Sequence, residues 1–81
     1  MNELQERAAQ AAETPAPPVF MIGLWRGFVW AQPALGCYSP SSQAISVIVA
    51  RITFGDFVPV AAERTQAVLA MLREDGFKVH E

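Results

Sequence analysis

The sequence is poor in the residues that build catalytic and metal sites, because its 81 residues include one cysteine, Cys37, and one histidine, His80. One cysteine excludes an internal disulfide, and these two residues alone cannot complete a thiolate and imidazole zinc site. A nucleophile pair of Cys37 and His80 would have no third residue marked to orient it. The phosphate-binding, dinucleotide-binding, calcium and zinc-protease motifs are missing as well. We therefore expect a protein that is not an enzyme and uses no cofactor or metal.

Basic residues are also scarce, since six Lys and Arg face eight Asp and Glu for a net charge of −2. The acidic excess lies in residues 1–18, whereas residues 19–81 are neutral. Nucleic-acid affinity comes largely from neutralising phosphates, so this balance argues against direct nucleic-acid binding. No apolar run approaches the ~18 residues needed to cross a bilayer, and we expect no membrane partner. The acidic start "MNELQERAAQ" is unlike a secretory signal and predicts a cytoplasmic protein.

Hydrophobic residues are abundant for so short a chain, at 52% of the sequence. A chain of this length buries only about 60% of its unfolded surface, so the excess is covered by the fold or by an interface. Residues 1–18 predict a flexible or partly helical acidic arm, because helix formers there lack an apolar stripe. The segment "TPAPP" then forbids helix and marks the boundary of a single α+β domain over residues 19–81.

The segment "VFMIGLWRGFVWAQP" is dense in β-branched and aromatic residues and predicts a hairpin of strands 19–25 and 28–32. Arg26 and Gly27 stand where a tight turn is needed, and glycine supplies positive φ there. The alternative is one bent strand with a kink at Gly23 or Gly27.

The next strong signal is "AISVIVARITF", residues 44–54, which follows a Pro, Gly and Ser loop over residues 33–43. Apolar residues on both of its alternating faces predict a long central strand covered on both sides. A bulge near Val49 that swaps the two faces is the alternative interpretation.

The remaining segment predicts one amphipathic helix, with Pro59 in its first turn and Gly76 as its left-handed cap, then a short edge strand carrying Phe77 and Val79 inward. The expected fold class is therefore α+β: a small antiparallel sheet covered on one face by one helix. Its strands are the N-terminal hairpin, the long central strand and the short C-terminal edge strand. A single helix covers one sheet face, so the second face is the candidate surface for a partner or for dimerisation.

The stretch "GLWRGFVW" concentrates two tryptophans, a phenylalanine and an arginine. Three interpretations compete for it: packed core, a stacking platform for single-stranded nucleic acid, and an interface anchor. The neutral domain weakens the second, and the small core volume weakens the first. The partner-binding candidates are therefore the hairpin residues of types that anchor interfaces, the loop tyrosine and four of the domain's acids. They are Trp25, Arg26, Phe28, Trp30, Tyr38, Asp56, Glu63, Glu74 and Asp75.

The predicted function is a small binding protein that acts by protein-protein contact on a larger host protein or nucleoprotein complex. In length and composition the chain is similar to anti-CRISPR proteins, which implies an inhibitor encoded by a phage or mobile element. The similarity is one of size and composition only, without a shared motif. The alternatives are a homo-oligomeric assembly subunit, such as a homodimer, and a single-stranded nucleic-acid binder.

Overall fold

The computed structural model describes residues 18–36 and 38–81. Its elements in chain order are β1 (Val19–Trp25), β2 (Phe28–Pro33), α1 (Ile45–Thr53), β3 (Val58–Ala61) and α2 (Ala62–Glu74). The three strands form an antiparallel sheet in the order β2-β1-β3. The α+β class and the antiparallel sheet predicted from the sequence are confirmed. The predicted arm lies outside the described residues except for Pro18, and so does Cys37.

The N-terminal hairpin forms as predicted, with β2 one residue longer than expected. Trp25 pairs with Phe28, which leaves a two-residue connection. Arg26 has φ 50° and Gly27 has φ 82°, the pair of positive values that defines the hairpin turn whose twist matches the two strands. The alternative of a single bent strand is therefore wrong.

The predicted long central strand over residues 44–54 is wrong, because this segment forms helix α1. Its buried side chains are Ile48, Val49 and Ile52, whose spacing places them on one side of a helix. The same stripe, divided into two alternating faces, looks like a strand that is apolar on both sides. β-branched residues lower helix stability only slightly, so packing of this stripe against the sheet outweighs their strand preference.

The third strand is β3, a segment predicted to be the first turn of the helix. Val58 pairs with Ile22 of β1, and Pro59 pairs with Met21. The carbonyl of Pro59 accepts a hydrogen bond from the Ser41 amide at 2.8 Å, so this residue faces the outer edge of the sheet. A proline is accommodated there because its missing N–H removes no bond to β1.

Helix α2 begins directly after β3 and ends near the predicted cap. Its buried side chains are Thr65, Val68, Leu69 and Leu72. Gly76 follows the helix with φ 94°, in the left-handed conformation that glycine adopts without strain. The amphipathic helix and its end are therefore confirmed, although it starts three residues after Pro59.

The expected C-terminal edge strand is reduced to an isolated parallel bridge between Val79 and Val29 on the outer side of β2. The Val29 amide donates to the Lys78 carbonyl and the His80 amide donates to the Val29 carbonyl, both at 2.8 Å. Phe77 and Val79 pack against the core, as their alternation predicts.

The hydrophobic core lies between one face of the sheet and both helices, so two helices cover this face where one was predicted. The strands contribute residues that alternate along each chain, and each helix contributes its buried stripe. The buried core residues are Ile22, Val29, Val58 and Val60 from the sheet, Ile48, Val49 and Ile52 from α1, and Val68, Leu69 and Leu72 from α2.

Candidate protein-binding site

The opposite face of the sheet carries aromatic side chains, and no described helix packs on it. In β1, Gly23 and Trp25 alternate with the core residue Ile22, so they point away from the helices. The register places Trp30 beside Gly23 and Phe28 beside Trp25. We call the surface of Trp25, Phe28, Trp30, Phe57 and His80 the aromatic face.

Four rings of this face, those of Trp25, Trp30, His80 and Phe28, contact one another in sequence. The Trp25 and Trp30 centroids are 5.4 Å apart at an interplanar angle of 68°. The His80 imidazole stacks on Trp30 at 3.6 Å and 16°, and its edge meets Phe28 at 6.0 Å. The two edge-to-face pairs are a favoured arrangement of such rings, and together with the stack on His80 they orient Trp25, Phe28 and Trp30.

A hydrogen bond further fixes the indole of Trp30. Its Nε1 donates to the backbone oxygen of Trp25 at 2.8 Å, across the hairpin. Trp30 is partly buried, whereas Trp25 is 50% and Phe28 39% exposed. None of these three residues belongs to the hydrophobic core cluster. The structure thus makes Trp30 the support of the face and presents Trp25 and Phe28 to solvent.

Arg26 lies at the rim of the face, with its Cζ 4.4 Å from the centroid of the Trp25 ring. This is within the range of a cation–π contact. The residue has a positive φ, which L-residues with a Cβ adopt at a cost of about 1–2 kcal/mol. The turn therefore places a guanidinium group beside an exposed indole despite backbone strain.

Phe57 completes the site from the segment that enters β3. Its ring lies directly over Gly23, where an added Cβ would be 2.7 Å from the Phe57 Cγ and nearer still to other ring atoms. Only glycine at position 23 leaves room for this ring. Trp25, Trp30, Gln32 and Phe57 line a cleft of about 300 Å³.

The cleft has the chemistry of a binding surface. Its lining consists of three aromatic rings and one neutral amide, so it offers apolar contact and hydrogen bonding without a group for acid–base work. Within the described residues, no group of three or more His, Cys, Asp and Glu side chains is placed to hold a metal ion.

The other predicted site residues lie outside the cleft. Tyr38 is half-exposed in the loop after β2, and Asp56 pairs with Arg51 at 3.4 Å. Glu63 is in the first turn of α2 and Glu74 is its last residue. Asp75 follows as the C-terminal cap of α2. The structure therefore brings together the four hairpin candidates, and Tyr38 and the acids are not among the residues that line the cleft.

Three residues of the site were missed by sequence reasoning. Gln32 follows Trp30 by two positions on the same strand, so strand alternation could have found it. From the sequence, His80 is considered only as a partner of Cys37, but His80 stacks on Trp30 because the Val79 bridge places it at the edge of β2. Phe57 had no usable signal, because its place depends on β3, which the sequence did not predict.

The fold and the site define a small α+β domain with helices on one sheet face and an aromatic surface on the other. Comparison with family models, with curated proteins and with solved structures finds no match. Among the described helices, none is long and apolar enough to cross a membrane.

Proposed function

We propose that this chain is a small non-enzymatic protein that acts by binding another protein through its aromatic face. The observation that carries the proposal is the exposure of Trp25 and Phe57 at 50% each, beside Phe28, on a sheet face that the described helices leave open. Tryptophan and arginine are enriched among the residues that dominate protein-protein affinity, and Trp25 with Arg26 supplies both. Large apolar groups gathered on one surface mark interaction sites more often than scattered ones do.

The edges of the sheet favour contact through the face. The Val29–Val79 bridge occupies part of the outer edge of β2, and the Ser41 amide binds the Pro59 carbonyl on the outer edge of β3. Pro33 and Pro59 have no N–H to offer a further strand. Addition of a partner strand to either edge would meet these groups, whereas no described helix covers the face.

The arrangement of the rings also suits tight binding. Trp30 is held by its hydrogen bond to Trp25 and by its stack on His80. Ordering a mobile side chain on binding costs about 0.5–1.5 kcal/mol, and rings that are already oriented avoid part of this cost. A preorganised aromatic surface therefore supports a binding role.

Base stacking on these rings is a weaker candidate because of the charge around them. Arg51 pairs with Asp56, Arg73 lies 3.9 Å from Glu81, and Arg64 donates to loop carbonyls. Arg26 contacts the exposed ring of Trp25. Lys78, next to Val79 at the edge of β2, is the remaining basic residue of the described part. A groove that follows a nucleic-acid backbone needs several cations along its length.

The partner that we propose is a larger host protein or nucleoprotein complex in the cytoplasm, and the role is that of an inhibitor from a phage or mobile element. Support for the inhibitor role comes from the small size and the similarity in composition to anti-CRISPR proteins. Homodimerisation through the same face is the second candidate, because an open apolar face also suits a second copy.

The test is affinity purification from a lysate of the host cell, with the wild type, Trp25→Ala and Phe54→Ala. Phe54 is 88% exposed at the end of α1 and does not line the cleft, so it is a matched aromatic control. We expect Trp25→Ala to lose a partner that Phe54→Ala retains, with both variants folded by circular dichroism. Identical partners for all three proteins would contradict the proposal.

Light scattering of the purified protein distinguishes homodimerisation from binding to a different protein. A monomer at micromolar concentration supports binding to a different protein. A dimer that Trp25→Ala dissociates and Phe54→Ala does not would show that a second copy covers the face.

A further inference from the structure

The cleft on the aromatic face is small and open, which limits what it can hold. Its volume of about 300 Å³ lies at the lower end of the range for ligand pockets. Three of its four lining residues are aromatic, and the fourth is Gln32. These dimensions suit a short stretch of peptide that crosses the surface.

The ring walls fit the flat, rigid side chain of proline. Trp25 and Trp30 stand at 68° to each other, and Phe57 lies over Gly23 at the floor. Proline-rich segments adopt an extended helix without internal hydrogen bonds, and they dock in grooves lined by aromatic rings at low entropic cost. Their free carbonyls need donors from the protein. Gln32 supplies an amide donor in the cleft, whereas Nε1 of Trp30 is already bonded to Trp25.

Sites with aromatic walls also bind quaternary ammonium groups. The positive charge of Arg26 at the rim favours proline over such a cation. Arg26 lies 4.4 Å from the Trp25 centroid, and the lining holds no carboxylate to offset a second cation. A cationic ligand would therefore be repelled, while a carboxylate next to the bound segment would be attracted to Arg26.

We propose, on the basis of the binding function above, that the cleft recognises an extended proline-containing segment of the partner protein, flanked by an acidic residue that pairs with Arg26. Trp25 and Phe57 contact the proline rings. Gln32 donates to a peptide carbonyl. Trp30 positions Trp25 through its hydrogen bond and its edge-to-face contact.

The experiment titrates the full chain with two blocked synthetic peptides, (Pro-Pro-Ala)₃-Glu-Glu and a control with alanine in place of every proline. The two tryptophans of the chain, Trp25 and Trp30, both line the cleft, so their fluorescence reports binding directly. We expect the proline peptide to bind at least ~10-fold more tightly, because aromatic anchors carry most of such affinity. Trp25→Ala and Phe57→Ala each lower this affinity ~5-fold or more, and Phe54→Ala leaves it unchanged.

The contribution of charge has its own readout. Replacing the two glutamates of the proline peptide with glutamines weakens binding to the wild type, and it has no effect on Arg26→Gln. Added salt reduces the difference in affinity between the glutamate and glutamine peptides, since an exposed ion pair is screened. Equal binding of the glutamate and glutamine peptides by the wild type would overturn the acidic part of the proposal.

Four outcomes would overturn the assignment to proline or to a partner. Equal affinity for the proline and alanine peptides excludes proline recognition. Tighter binding of tetramethylammonium than of the proline peptide shows that the cleft is a site for quaternary ammonium groups. Tighter peptide binding after Pro15→Ala with Pro17→Ala shows that the chain's own "TPAPP" segment competes for the cleft. A dimer that the peptide dissociates identifies a second copy as the occupant.

Failure of this inference is distinguishable from failure of the proposed function. If the peptides do not bind but Trp25→Ala still loses its partner in the purification, the proline chemistry is wrong and the aromatic face remains the binding surface. If both experiments are insensitive to Trp25→Ala, the binding function itself is wrong.

Discussion

Replacing Gly23 with alanine tests the contact between Gly23 and the ring of Phe57, which lies at the floor of the cleft. The new Cβ would be 2.7 Å from the Phe57 Cγ, closer than such atoms approach, so the ring must leave its place. Phe57 is half-exposed and its ring can turn into solvent, so the protein still folds while the cleft loses its floor. The substitution therefore separates the site from the core.

The magnitude follows from the surface that Phe57 buries. A fully buried aromatic side chain covers about 150–250 Å², so the covered half of Phe57 corresponds to about 75–125 Å². At about 25 cal/mol per Å² this is worth about 2–3 kcal/mol as an upper estimate. Replacing a strand glycine returns about 0.5–1 kcal/mol through the unfolded state. We expect a net loss of about 1–2.5 kcal/mol, or roughly 4–20 °C in Tm for a domain of this size.

The assay is a double-mutant cycle by urea unfolding with Gly23→Ala, Phe57→Ala and the double variant. In the Phe57→Ala background the added methyl meets no ring, so Gly23→Ala does not destabilise the protein there. The coupling free energy is about 2–3 kcal/mol. A loss of the same size in both backgrounds would refute the contact between Gly23 and Phe57.

The remaining predictions concern the elements that support the site. Ile52→Ala, at a fully buried position of α1, lowers the free energy of unfolding by about 2–5 kcal/mol, and Val47→Ala, at a position 41% exposed, by less than ~1 kcal/mol; similar losses in urea unfolding would contradict the helical stripe. Arg64→Met removes hydrogen bonds to two loop carbonyls, one of them Ser41 at 2.8 Å, and costs about 1–3 kcal/mol. Hydrogen exchange of the Ser41 amide then accelerates, whereas Arg73→Met, which breaks the exposed pair with Glu81, leaves it unchanged.

Local patterns predicted the hairpin and the second helix correctly. The turn at Arg26 and Gly27 needs positive φ, and glycine with flanking aromatic residues signals it within a few positions. The helical stripe around Val68 and Leu72 and the glycine after it are equally local signals. The hairpin and α2 depend on residues that are near one another in the chain, so they could be predicted from the sequence.

Residues 44–54 were wrongly predicted as a strand, because their many apolar residues fit both the two-residue period of a strand and the 3.6-residue period of a helix. Ile48, Val49 and Ile52 fit a helical stripe, yet the whole segment also alternates as a strand with two apolar faces. The choice depended on which surface the segment would meet. Once β3 occupies the sheet edge beside β1, the segment packs across the sheet as α1.

The sequence by itself determined the α+β class, the hairpin that carries Trp25 and Trp30, and the surplus of aromatic surface on it. These follow from composition, strand alternation and turn chemistry, which act over a few residues. Only the tertiary structure decided that both helices cover one sheet face, and that Phe57 and His80 join the hairpin rings on the other. The reason is physical: those contacts join segments that are distant in the chain, and their positions depend on the packing of the whole domain.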